Sequence, residues 1–209
     1  MAKVEINNGH GHQAEVTPDG GLLTDLNPYP PFRVQKTHPF RQFFTLDGTS
    51  TGDSDMGQDG SVTNLEFFIE AHPTDDLYIT HISLIVGYGA SGRPYQFGDL
   101  AALTNGVRLF YNSQNEEVDI HDAIKSNQDL FRLSSEKYDS SWEIRGVGAA
   151  NDYGYFIDVD LGDFSPNYGV KLDAGSTQRI SFLIRDTMAA VSGVGDSFNA
   201  IAHGFNRFL

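Results

Sequence analysis

The stretch Asp55-Met56-Gly57-Gln58-Asp59-Gly60-Ser61-Val62-Thr63-Asn64-Leu65-Glu66 has the length and spacing of a calcium-binding loop. Acids fall at its first, fifth and last positions, a glycine at the sixth and an apolar residue at the eighth. Hard carboxylate oxygens of Asp55, Asp59 and Glu66 would wrap the ion while the glycine permits the sharp turn. Two features oppose this: Gly57 stands where a ligand is expected, and the flanks have strand rather than helix character. The competing reading is an acidic Gly/Ser/Thr loop over residues 48–60 with no metal. Calcium is the one cofactor the sequence brings forward. The pair His10 and His12 offers softer nitrogen ligands, but in a Gly/Asn-rich tip with no third ligand nearby it reads as a polar loop.

Nucleophilic and acid–base chemistry finds little support. Gly195-Asp196-Ser197-Phe198 looks like the opening of one esterase family's block, but it lies next to the C-terminus, where no helix follows. Gly89-Ala90-Ser91-Gly92 lacks the spacing of a nucleophile elbow. Phosphate-binding and dinucleotide glycine motifs are absent. Carboxylate pairs such as Asp75/Asp76, Glu116/Glu117 and Asp158/Asp160 leave an acid/base glycosidase as a third-ranked reading, since their separation is a three-dimensional matter. Asp158 and Asp160 face solvent if Ile157, Val159 and Leu161 point inward. His81 lies on the opposite strand face from Ile82 and Leu84, and His203 shares a face with Ile201 and Phe205; neither has the setting of a base. No catalytic residue is assigned, and the chain is expected not to be an enzyme.

Aromatic residues in loop-like segments are more suggestive: Tyr29, Phe32, Tyr95, Tyr138, Trp142, Tyr153 and Tyr168 sit among Gly, Ser, Asp and Asn. Tyr and Trp in such places bury area at small entropic cost and keep a polar handle, as protein and carbohydrate interfaces require. The competing reading has them capping the open ends of the fold. Tyr29, Phe32, Tyr95, Trp142 and Tyr153 are the interface or ligand candidates.

The elements that must position these residues are strands. Ile180, Phe182 and Ile184 alternate with Arg179, Ser181 and Arg185, the pattern of a strand buried on one side. Arg179 and Arg185 join the interface candidates, because cations are scarce on this chain. Leu65, Phe67 and Ile69 alternate likewise, Pro73-Thr74-Asp75-Asp76 makes a turn, and Tyr78, Thr80, Ile82, Leu84 and Val86 continue, which predicts an antiparallel hairpin. Residues 107–111, 155–161 and 198–205 read as further strands. Only 118–133 has spacing for a helical turn or two. Many strands with glycine-rich turns predict an all-β antiparallel sandwich, with a jelly roll the favoured topology. Residues 1–60, punctuated by Asn7-Asn8-Gly9, Asp19-Gly20-Gly21 and Pro28-Tyr29-Pro30-Pro31, read as an extended arm with short edge strands, and 61–209 as the sandwich.

Composition narrows the partners. Fourteen basic against 28 acidic residues give a net charge of −14, which repels nucleic acid and anionic membranes. The longest apolar run falls short of the ~18 residues a membrane helix needs. The N-terminus has no apolar segment of a secretory signal. The absence of cysteine removes disulfides and thiolate metal sites, and it suits synthesis in a reducing cytosol.

The order of segments resembles a known class. Phe67-Phe68-Ile69-Glu70-Ala71 turning into residues 78–86 comes first, then Phe97-Gly98-Asp99-Leu100 through Val107, then Ile124 through Leu130. Leu172 through Asp186 and Ala200-Ile201-Ala202-His203-Gly204-Phe205 follow. Over residues 62–205 this looks like the virion structural proteins of tailed bacteriophages. That resemblance implies a β-sandwich subunit of a symmetric particle, made in the host cytoplasm and incorporated in the virion. The implied roles are capsid decoration, vertex, head–tail or tail-associated protein; the implied partners are other virion proteins and further copies of itself. The alternative is a carbohydrate- or receptor-binding sandwich, with or without calcium.

Overall fold

The computed structural model describes residues 15–16, 22–23, 37–88, 93–98, 101–135, 142–146, 153–161, 169–191 and 197–208. The chain divides into two compact units, Met1–Lys36 and Thr37–Leu209. In the first, strand β1 (Glu15–Val16) pairs antiparallel with β2 (Leu22–Leu23).

The second unit is an all-β sandwich of two antiparallel sheets. Its elements in order are β3 (Thr37–Phe43), β4 (Leu65–Glu70), β5 (Asp75–Tyr88), β6 (Val107–Asn112), β7 (Glu117–Ile124), α1 (Asn127–Ser135), β8 (Trp142–Gly146), β9 (Tyr153–Asp160), β10 (Val170–Leu172), β11 (Arg179–Ile184) and β12 (Ser197–Phe208). The larger sheet runs β3-β12-β5-β9-β8, with β10 also paired to β5; the smaller runs β4-β11-β6-β7. The pairings nest: β3 with β12, β4 with β11, β5 with β9 and β6 with β7. Each pair joins strands progressively closer in sequence, so the chain is a long ribbon doubled on itself and wound across both sheets.

Residues 37–60, expected in the arm, belong to the sandwich. Strand β3 pairs along β12, and Phe44 and Met56 are fully buried. The expected hairpin is also overturned. β4 pairs with β11 in the smaller sheet and β5 with β12 and β9 in the larger, so the turn at Pro73 carries the chain across the core. A local turn signal is the same for a hairpin and for such a crossing, and the partner decides which forms.

Period-two alternation delivers the core. Ile180, Phe182 and Ile184 meet Ile82, Leu84 and Val86 across the sheets, all fully buried. Phe182 sits edge-on to Phe44 at 4.9 Å and to Phe198 at 6.2 Å. Burying each such side chain contributes about 1.5–3 kcal/mol before the cost of ordering it. The β5 pattern is not continuous, however. His203 pairs with His81 and the next residue, Gly204, with Ile79, so Thr80 is an extra residue, a β-bulge. Leu77 and Ile79 therefore face the core before the bulge, and Tyr78 and Thr80 do not share the inward face of Ile82.

Helical spacing in 118–133 resolves into strand β7 followed by α1. Ser126 caps the helix: its hydroxyl accepts from the Asp129 amide at 3.3 Å, and Asp129 returns an acceptor to Ser126 at 3.0 Å. Asp129 Oδ2 also accepts from the Lys125 amide at 3.0 Å, so the carboxylate reaches one residue further back than in a standard capping box.

Candidate functional site

A group of titratable side chains stands on the outer face of the larger sheet. Because Ile82, Leu84, Ala200, Ala202, Ile157 and Val159 point inward, their strand neighbours point out. Register then aligns one polar row across four strands: Arg41 on β3, His203 on β12, His81 on β5 and Asp160 on β9. The next row holds Phe43, Ile201, Ser83 and Asp158. The two imidazoles stack with centroids 4.4 Å apart and planes within 6°.

Ser83, His203 and Asp158 are the ingredients of a nucleophilic triad in the wrong order. The Ser83 hydroxyl donates to Asp158 Oδ1 at 2.5 Å and lies 3.1 Å from His203 Nε2. In a working triad the histidine stands between the other two and takes the serine proton. Here the serine proton is committed to the aspartate, so His203 Nε2 carries a proton and donates to Ser83 Oγ. Thr80 Oγ1 donates to the His203 carbonyl at 3.2 Å, which leaves its lone pairs to accept from His81 Nδ1 at 3.1 Å. Burial, then the nearby His81 and Arg41, holds the His203 imidazole below its usual pKa, with Asp158 pulling the other way. The row is thus a hydrogen-bonded, largely neutral centre with a cation at one side and a carboxylate at the other.

The flanking rows are mixed, each with apolar residues on β3 and β12 and a charged one at the far side. Tyr78 stacks on Phe205 at 4.9 Å and 9°, with Pro39 and Lys171 as their cross-strand neighbours. Phe43 is 40% exposed at the edge of the sheet.

The sequence candidates fall in several places. Asp55 accepts from the Gly57 amide at 2.9 Å, and Asp59 accepts from the Ser61 amide and hydroxyl at 2.9 and 2.6 Å. Glu66 receives Ser181 Oγ at 2.7 Å and Arg179 Nη2 at 3.1 Å, with Arg179 Nε 2.9 Å away. These carboxylates are spent on turns and an ion pair. Among the described residues no three His, Asp or Glu side chains are placed to hold a metal ion.

Arg179 also lies 5.2 Å from the Phe68 ring, and beside it Arg108 covers Phe110 at 4.4 Å while binding Glu117 at 2.7 Å and Asp119 at 2.5 Å. Ser181, expected to face outward into solvent, is fully buried beneath this layer of ion pairs. Arg185 instead staples the loop before β6, donating to the carbonyls of Gly106 at 3.0 Å, Asn105 at 2.8 Å and Asp122 at 2.6 Å. Its neighbour Asp186 accepts the amides of Thr104, Asn105 and Gly106 at 3.1, 3.0 and 2.6 Å. A pocket of about 360 Å³ opens beside it, lined by Ala101, Ala102, Leu103, Thr187 and Ala189. With its oxygens already filled by amides, Asp186 presents no demand for a cation there.

Tyr95 is 58% exposed, with Arg93 donating to its hydroxyl at 2.6 Å. Trp142 and Tyr153, expected in loops, are the first residues of β8 and β9; their backbones pair with Ile157 and Gly146. Tyr29, Phe32, Tyr138, Tyr168 and the His10/His12 pair lie outside the described residues. The sequence placed His81 opposite Ile82 and Leu84 and His203 on the face of Ile201 and Phe205, but it did not bring the two together, because cross-strand register is invisible locally.

A scan of protein-family models, a search of the curated proteins and a search of the solved structures each find no match to this chain.

Proposed function

We propose that the protein is a structural subunit, of the kind that builds the virion of a tailed bacteriophage, and that it acts by assembling with copies of itself and with other particle proteins. One observation carries this reading: the nested pairing of β3 with β12, β4 with β11, β5 with β9 and β6 with β7. That nesting supports a jelly-roll-like reading of the sandwich, an architecture used by viral capsid subunits and by lectins. Fold alone does not choose between those uses. The outer face supports assembly. It carries Phe43, Ile201 and Phe205 in the rows around the histidines, and its Ser83-His203-Asp158 group has the wrong order for nucleophilic attack. An N-terminal unit of 36 residues precedes strand β3 in the chain, and in this reading it adds area on a neighbour. The acidic net charge favours solubility at the high concentration assembly requires.

The test is removal of residues 1–36. The shortened chain is expected to keep its unfolding midpoint within a few degrees while losing assembly in light scattering; normal assembly would refute the role of the N-terminal unit. A second reading, a carbohydrate-binding module, is favoured by the exposed Tyr95 with Arg93 at its hydroxyl. It predicts glycan binding that Tyr95→Ala abolishes, and a glycan array with no binding to the intact chain would dismiss it.

A further inference from the structure

We infer that the outer face of the larger sheet pairs with the same face of a second copy, about a two-fold axis parallel to the strands and midway between β12 and β5. This rests on the assembling-subunit reading and names the surface and symmetry it would use. The evidence is the order of charge in one row: Arg41, His203, His81, Asp160, running from cation to carboxylate across four strands. Arg41 and Asp160 are both exposed at its two sides.

Rotation about that axis lays β3 of one copy over β9 of the other and β12 over β5. Arg41 then meets the partner's Asp160, twice by symmetry, and His203 meets the partner's His81. In the neighbouring row the half-buried Phe205 lies over the position of the partner's Tyr78; Tyr78 is itself already buried in its own chain, so Phe205 supplies the apolar contact of that row. The row of Phe43 is the poorest match, since it brings that ring to the partner's Asp158. A row that runs from positive to negative is complementary to its own reverse. A uniformly basic or acidic partner would attract one half and repel the other, so the occupant that fits is a second copy. Strands kept near parallel are also the usual aligned packing of two sheets.

Arg41 and Asp160 lie three strand spacings apart, about 14 Å, too far to pair within one chain. This makes the test decisive. Arg41→Asp places two carboxylate pairs across the interface, and Asp160→Arg places two cation pairs. Each variant alone is expected to self-associate at least about tenfold more weakly than the unaltered full chain in sedimentation equilibrium. An equimolar mixture of the two restores both opposite-charge pairs and is expected to recover association to within about threefold of the original. Circular dichroism checks that each variant folds. Single variants that associate normally would overturn this face and leave the assembling subunit standing. Variants that dissociate without rescue on mixing would overturn the two-fold pairing. An unaltered chain that is monomeric throughout would overturn both.

Discussion

At the scale of single residues, a buried carboxylate holds a loop in place. Asp186 is 9% exposed and holds three successive amides of the 104–106 loop, where Gly106 takes a φ of 79°, a left-handed conformation suited to glycine. Asp186→Ala leaves those donors without an acceptor and is expected to cost about 2–3 kcal/mol in denaturant unfolding, with Asp186→Asn costing less. An unchanged midpoint for the alanine variant would remove Asp186 from that role. His203 gives a pH dependence of definite sign. Its folded pKa lies below the unfolded value near 6.5, so the unfolded chain binds more protons as pH falls from about 6.5 through the folded value. Stability is full above that window and declines through it, and His203→Gln flattens the decline; a midpoint independent of pH from 7 to 5 in the parent chain would contradict this. The sequence already marked Arg179 and Arg185 as unusual cations. Their partners were not legible, because Glu66 is 113 positions from Arg179 and Asn105 is 80 from Arg185.

At the scale of elements, the bulge at Thr80 is what brings the histidines together. It lets Leu77 and Ile79 face the core below it and Ile82, Leu84 and Val86 above it, leaving His81 opposite His203. Gly204 makes the bulge possible: a Cβ there would stand 1.8 Å from the Tyr78 carbonyl oxygen, a backbone atom that cannot swing aside. Gly204→Ala is expected to destabilise by about 3 kcal/mol and to weaken the His81–His203 stack, read from histidine chemical shifts in NMR. A variant as stable as the parent would mean the strands tolerate another register. Strand existence was readable from alternation in β4, β6, β9 and β11. The bulge was not, because Tyr78, Ile79 and Ile82 are all apolar enough to satisfy either phase. The pairing of β4 with β11 rather than β5 escaped for a related reason: strand patterning specifies a face, whereas the partner is chosen by the whole core.

At the scale of the whole molecule, the nested ribbon leaves a large outer sheet face with a dipolar centre flanked by Phe43 and Phe205, and β3 as an edge strand. The all-β sandwich was legible from turn spacing and the scarcity of helical periodicity. The position of Phe44 and Met56 in its core was not, since isolated apolar residues among Gly, Asp and Ser resemble a loop until the sheets close over them. The side chains of Asp55, Asp59 and Glu66 are engaged elsewhere, so adding a calcium chelator is expected to leave the thermal midpoint unchanged; a fall of several degrees would reinstate a metal in that loop. Assembly is the central claim, and mass in solution tests it most directly. Sedimentation of the intact 23.0 kDa chain across a hundredfold concentration range should give a discrete multiple of that mass. A mass of one chain at every concentration would contradict the account.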